Sequence, residues 1–337
     1  MNYRHWFLAA ALATTALTAN ADALRVLTHS SFELSKPVLA DFERQTGIKI
    51  ALIKGGDAGE MLNKLILTRA HPIADVVFGL DNTLVAKASD AGIIEPYAPK
   101  TAAGAVRFNL PDGVVSTDYG YVTLNYDKAW FAKSKLALPR NLDDLTLPAY
   151  KNLLVVENPA TSSTGLSFLY STISAMGEER AFSFWAKLRQ NGLKVTNDWT
   201  AAYYTDFSRN GGAYPIVLSY ATSPAAEVFY SKVKLTAAPT ANLLLAGSVF
   251  QQVEGIALIK GGESRAAGEK FIDFMRSAAV QKDLQTTMWM YPVANGTPQA
   301  AIFRFASEPS THQTPSADLI HRQGPAWVKR WVRVVLK

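Results

Sequence analysis

Leu24-Arg25-Val26-Leu27-Thr28, running directly into His29-Ser30-Ser31-Phe32, is the stretch on which the fold is read. An apolar, strand-like run gives way to a short loop of imidazole, hydroxyl and aromatic side chains, and the same transition recurs three times. Ala74-Asp75-Val76-Val77-Phe78 leads into Gly79-Leu80-Asp81-Asn82, and Leu153-Leu154-Val155-Val156 into the loop from Glu157 to Ser163. Pro215-Ile216-Val217-Leu218 leads into Ser219-Tyr220-Ala221-Thr222-Ser223-Pro224. Open α/β sheets hold ligands outside the carboxyl ends of their strands. A chain that concentrates polar and aromatic residues there is built to bind a small molecule.

Outward from these runs, strands and helices alternate. Residues 24–29, 48–54 and 74–79 read as strands; 36–46, 57–70 and 82–91 read as helices, with Gly47 and Gly92 closing the first and last. Asp57 and Glu60, three apart ahead of Met61, Leu62, Leu65 and Ile66, outline a capping box. A long β-branched and aromatic strand follows at 118–126. A second α/β series then places strands at 152–156, 193–196 and 215–219, with helices at 164–176, 179–190 and near 200–209. A second long run at 250–259 precedes a helix at 264–277. Such alternation argues a sheet with helices on both faces. Two long strands around a self-contained block imply a chain that crosses to a second lobe and returns. The expected fold is therefore α/β, in two lobes joined by two crossing hinge strands. One lobe takes residues 22–124 plus 250–337, the other 125–249.

Residues 1–21 read as a secretory signal: Arg4 and His5, an apolar run from Trp6 to Leu17, and the small-x-small site Ala19-Asn20-Ala21. The run is shorter than the ~20 residues that span a bilayer. Cleavage is expected near Asp22, with the mature protein in the periplasm. Removing 21 of 337 residues leaves 316, past the length at which chains usually divide. Without Arg4, 33 basic residues face 28 acidic ones, a mild and dispersed excess that does not suit a nucleic-acid partner. The chain has no cysteine, which excludes disulfides, thiolate metal sites and a lipid anchor. Near the C-terminus Trp327, Trp331, Val334 and Val335 share one helical face beside Arg322, Lys329, Arg330 and Arg333, and a helix docked on the body with a solvated basic face is expected.

Enzyme signatures are sparse. The histidines at 5, 29, 71, 312 and 321 lie apart, and no nucleophile elbow, P-loop or dinucleotide fingerprint occurs. No catalytic residue, metal ligand or cofactor site is assigned. Thr161-Ser162-Ser163-Thr164-Gly165 precedes an apolar helical period, so its hydroxyls serve either an oxyanion or an ordinary N-cap. Trp199 at a helix start and Tyr220 at a strand end are placed to stack on a flat or cationic ligand. Tyr203 divides evenly between the site and the core, while Tyr204 is expected to pack. Asp57 and Asp81 occupy loops after first-lobe strands, where a carboxylate either balances a cation or caps a helix. The candidate ligand-binding set is Trp199, Tyr220, Ser162, Ser163, Asp57, Asp81, Tyr203 and His29.

Several segments together resemble the periplasmic thiamine-binding proteins of ABC importers. They are the run 74–82, Asp118-Tyr119-Gly120-Tyr121, Ser219 to Pro224, Trp289 to Asn295, Thr161-Ser162 with Gly165, and Trp199 ahead of its aromatic stretch. The resemblance extends from about residue 24 to the C-terminal helix. It implies a two-lobe periplasmic binding fold of type II kind, a monomer, and delivery of thiamine or its phosphate esters to an inner-membrane ABC permease. By position it makes Trp199 and Tyr220 ligand-enclosing aromatics, Ser162 a site hydroxyl and Asp57 a site carboxylate. Family members carry Tyr-Asp-Ser-Phe where this chain has His29-Ser30-Ser31-Phe32, and a further tyrosine where it has Ala226. Tyr230 and His29 are positions that could compensate. The rival readings are capture of ferric iron, invited by Tyr203-Tyr204, and a periplasmic enzyme acting on phosphate esters.

Overall fold

The computed structural model describes residues 23–99 and 106–337, so the expected leader lies outside the described residues. Eleven strands form one continuous sheet: β1 (Leu24–Thr28), β2 (Ile50–Lys54), β3 (Val76–Asp81), β4 (Ile94–Glu95), β5 (Val115–Asp127), β6 (Leu154–Glu157), β7 (Lys194–Thr196), β8 (Ile216–Tyr220), β9 (Thr240–Leu243), β10 (Phe250–Ile259) and β11 (Tyr291–Pro292). Their main order is β2-β1-β3-β10-β5-β8-β6-β7.

Two parallel blocks, β2-β1-β3 and β8-β6-β7, are joined through the antiparallel pair β10 and β5. The 13-residue β5 pairs with β10 along Val115 to Val122 and with β8 along Val122 to Tyr126. It passes from one block to the other, as the long strand at 118–126 suggests. The parallel blocks read as strands because their apolar residues are continuous, which a sheet covered on both faces requires.

Most expected elements appear within a few residues, including the helices Lys36–Thr46, Ser163–Met176 and Glu178–Gln190. Others were not legible. Ser223–Phe229 is a helix where a loop is expected; Pro224 lies in its first turn, where a missing N–H costs nothing. Lys128–Ser134 is a short helix capped by Asp127, whose Oδ1 accepts from the amides of Ala129 and Trp130. Instead of one helix over 200–209, the α-turn Trp199–Ala201 runs into a π-helical turn, Ala202–Asp206.

The main core threads both blocks. Trp185, Phe168 and Phe184 fill its second half, and the C-terminal helix Ala317–Trp331 adds Trp327 and Trp331 to it. Trp331 meets Trp185 edge-on at 5.5 Å. The basic face is less solvated than expected: Arg330 binds Glu178 and Glu179, and Trp327 Nε1 donates to Glu178. Farther up the same helix, His321 pairs with Asp90 of the helix Val85–Asp90 at 2.9 Å. The terminal helix thus straps both halves of the sheet.

Candidate functional site

The strand ends open onto one cleft of about 900 Å³, its open mouth included. His29, Ser30 and Ser31 reach it from the end of β1, Asp57 and Ala58 from beyond β2, Ser163 and Thr164 from beyond β6, Trp199 from beyond β7, and Tyr220 and Ser223 from β8. Each lies at a carboxyl end because a strand spends its hydrogen bonds on its neighbours and frees its side chains only where the ladder stops.

Aromatic rings make one wall. Trp199 stacks on Tyr203 at 5.1 Å and 20° and meets Tyr220 at 6.4 Å, while its Nε1 donates to Ser219 Oγ at 2.9 Å. Tyr203 is buried, and its hydroxyl donates to Glu227 at 2.8 Å, so it backs the wall more than it faces the cleft. Tyr204, expected to pack, is 57% exposed and lines the cleft. The π-turn explains the exchange: the Phe207 amide donates to the Ala202 carbonyl five residues back, and this wider turn rotates Tyr203 inward and Tyr204 out. Across the opening, Tyr230 and Trp289 meet at 5.6 Å. Trp289 holds a φ of 62°, a strained value for so bulky a residue and one that clusters at ligand clamps.

Carboxylates make the floor. Asp57 begins the helix Ala58–Leu67, but the capping box does not form. Its Oδ1 accepts from Ala58 N at 2.6 Å, its Oδ2 from the Trp199 amide at 3.1 Å, and the Glu60 amide goes to the Thr161 carbonyl. A cap read as local is spent on joining two halves of the sheet. Glu254 comes from the middle of β10, where the register shifts against both β5 and β3 between residues 254 and 256. Such a bulge re-aims side chains, and Glu254 enters the cleft wall 3.2 Å from His29 Nε2.

Two candidates stand behind the wall instead of in it. Asp81 is fully buried and accepts from Thr83 and from Gln252 Nε2. Ser162 is buried with its hydroxyl 2.8 Å from Thr164 Oγ1, and it gives its helix no side-chain cap. Strand β3 ends at Asp81, two positions past the expected end at residue 79, which keeps Asp81 inside the ladder opposite Glu254. Of the eight candidates, Trp199, Tyr220, Ser163, Asp57, Tyr203 and His29 line the cleft; Glu254, Ser223 and Trp289 are additions. Sequence reasoning missed Glu254; a lone carboxylate beside glycine within an apolar run, Val253-Glu254-Gly255-Ile256, is a signal that could have found it.

Desolvation governs the charges. Burial raises the Asp57 carboxyl against the pull of bonds from Ser162, Ala58 and Trp199. Burial also lifts Asp81 to about 6, and lifts Glu157, with Asp57 adding repulsion, well above the usual carboxylate range. Asp118 is raised by burial and then by the charge of Glu254. For His29, burial pulls downward, but Glu254 and Asp57 prevail and its pKa is raised. The Tyr220 hydroxyl is held well above its ordinary value by burial and by the field of Glu254, Asp57, Asp81 and Glu157. Carboxylates held above their normal range are stabilised by any cation that enters. Aromatic faces over such a floor suit a flat, positively charged ligand. Among the described residues no three His, Cys, Asp or Glu side chains group so as to hold a metal ion.

Residues 71–320 match the family model described as "Bacterial extracellular solute-binding protein". The chain belongs to this family. The binding protein is 32% identical over 323 residues to the "Thiamine-binding periplasmic protein" of Escherichia coli (strain K12), covering 93% of each chain. A solved "Periplasmic thiamin binding protein" superposes on it with a TM-score of 0.80 at 30% identity, covering 93% of this chain and 96% of that one. Iron-bound HitA from Pseudomonas aeruginosa gives a TM-score of 0.75 at 18% identity, covering 93% of this chain and 99% of that one, a likeness of fold alone. The binding protein therefore has the two-lobe periplasmic binding fold expected from its two long strands.

Proposed function

We propose that this protein is a periplasmic substrate-binding protein that captures thiamine and presents it to an inner-membrane ABC permease. The observation that carries the reading is the pairing of Trp199 and Tyr220 with the carboxylates Asp57 and Glu254 around one cleft. Thiamine offers the matching parts: a permanently charged thiazolium, a flat aminopyrimidine and an alcohol. The relatives whose names specify thiamine support the same ligand.

The protein works as an exported, cleaved monomer that binds and releases without turnover. Its lobes divide at 124/125 and 249/250, with β5 and β10 as the hinge and the terminal helix touching both lobes. Bonds that join the lobes around the cleft include Trp199 N to Asp57, Glu60 N to the Thr161 carbonyl, Gln252 Nε2 to Ser163 Oγ at 3.3 Å, and Trp289 Nε1 to the Tyr230 hydroxyl at 3.4 Å. A ligand touching both lobes favours this closed form over an open one.

Isothermal titration of the mature protein with thiamine tests the reading. Saturable heat at one site, with thiamine recovered intact by mass spectrometry, is the expected result. No heat with thiamine, together with tight ferric iron binding and a red tyrosinate absorption band, would transfer the function to iron. Conversion of a thiamine ester would make the protein an enzyme.

A further inference from the structure

We propose that the cavity beneath the C-terminal helix is a second binding site, for an uncharged small molecule with an apolar body and one hydroxyl, and that its occupant tightens capture in the cleft. The coupling rests on the thiamine reading above; the site does not.

The cavity measures about 1190 Å³, its open mouth included. The helix Ala58–Leu67 and its cap reach both sites: Asp57 and Ala58 line the cleft, Gly59 and Asn63 the cavity. Leu84 and Ala86 come from one lobe, Pro159 and Leu166 from the other, and Ile320 and Val328 from the terminal helix. Apolar walls of this kind hold water poorly and favour an apolar occupant.

The terminal helix adds two polar groups to that wall. Ala317–Trp331 carries Gly324 and Pro325 in its interior, the two residue types that weaken a helix most. Both line the cavity, on the same stripe as His321. Proline has no N–H, so the His321 carbonyl four residues earlier loses its helical donor. Gly324 lets a phenol approach the helix backbone, since a Cβ there would stand 2.4 Å from the Tyr170 hydroxyl oxygen. Tyr170 is 3% exposed, and its hydroxyl has no hydrogen-bond partner among the described residues. Burial, and then the charge of Asp81, hold this phenol above its ordinary value, so it stands in the cavity wall as a neutral donor. A ligand hydroxyl can accept from Tyr170 and donate to the His321 carbonyl.

The charges around the cavity are already answered. Lys87 Nζ donates to Asn63 Oδ1 at 2.7 Å, His321 pairs with Asp90 at 2.9 Å, and Lys329 is exposed. Among the described lining residues no buried charge is left for an ionic ligand to neutralise. An occupant that touches both lobes favours the form in which they meet, the form that also closes on a ligand in the cleft.

Titration of the unmodified protein with p-cresol and with toluene, followed by backbone amide shifts, reads the site directly. p-Cresol should saturate shifts at residues 83–90 and 320–329 and bind at least ~3-fold tighter than toluene. Tyr170→Phe should erase that preference. Ala86→Trp, which fills the cavity, should abolish p-cresol binding while thiamine still binds. Shifts confined to cleft residues, toluene binding as tightly as p-cresol, a preference that survives Tyr170→Phe, or normal p-cresol binding by Ala86→Trp overturns the site. Saturating p-cresol should also tighten thiamine at least ~3-fold, and thiamine should tighten p-cresol by the same factor. Thiamine affinity unmoved by bound p-cresol overturns the coupling alone. Failure to bind thiamine at all removes the thiamine reading and the coupling with it, while the amide shifts still decide the site.

Discussion

Trp199 and Tyr220 face the same cleft but are held differently, and the difference decides which substitution is informative. Trp199 is partly buried at the tip of a short turn, anchored by Ser219 and by its stack on Tyr203. A desolvated cation–π contact reaches about 2 kcal/mol, so Trp199→Ala should weaken thiamine roughly 30-fold by calorimetry. The melting temperature without ligand should barely move; unchanged affinity would remove Trp199 from the site. Tyr220 also packs against the two largest hydrophobic clusters, so Tyr220→Ala would weaken the fold along with the site. Tyr220→Phe is the cleaner change: it keeps the ring, and affinity should stay within about 3-fold because the π face supplies the contact.

Under the closure proposed above, the helix Ala58–Leu67 is the element that meets the other half of the sheet. Its Gly59 lies against the other half of the sheet, where a Cβ would stand 2.6 Å from the Thr161 carbonyl oxygen. Alanine suits a helix better than glycine by up to about 1 kcal/mol, so Gly59→Ala should leave the ligand-free protein at least as stable. In the closed form the added methyl meets backbone that has no rotamer with which to yield. The expected outcome is weaker thiamine binding, by about 10-fold for each ~1.4 kcal/mol lost from the closed state, and a smaller compaction on adding ligand in X-ray scattering. Wild-type affinity and compaction would show that this contact does not limit closure. The helix itself was legible from its apolar period. Its diversion of Asp57 and the Glu60 amide across the sheet was not, because Trp199 and Thr161 lie more than 100 positions away in the chain.

Across the whole molecule, the charges around the cleft act together, and pH reads them. In the free protein His29 and the carboxyls of Asp57 and Asp81 hold protons above their ordinary values, Asp81 to about 6. A bound cation lowers all of these, so binding releases protons. Release makes affinity rise with pH while these groups lose their protons, Asp81 at about 6 among them, and level off once all have ionised in the free protein. Each full proton released corresponds to about a 10-fold gain per pH unit. Titration in buffers of different ionisation heat, with the ligand's own protonation subtracted, measures the release directly. Affinity that falls as pH rises, or a proton count of zero, would mean that the cation does not sit among these groups.

The sequence by itself determined the two α/β series, the long strands between them and the enrichment of strand ends in hydroxyls, carboxylates and aromatics. These follow from local periodicity and from the chemistry left free where a ladder stops, so Trp199, Tyr220, Asp57 and His29, which line one cleft, could be singled out from the sequence. Tertiary structure decided which of the remaining side chains face the cleft. A bulge in β10 delivered Glu254, a π-turn brought Tyr204 to the cleft beside the buried Tyr203, and pairing with β10 kept Asp81 behind the wall. The physical reason is that a one-residue change in register or turn moves a side chain from one face to the other. That register is set by contacts with strands far away in the chain, which no local window contains.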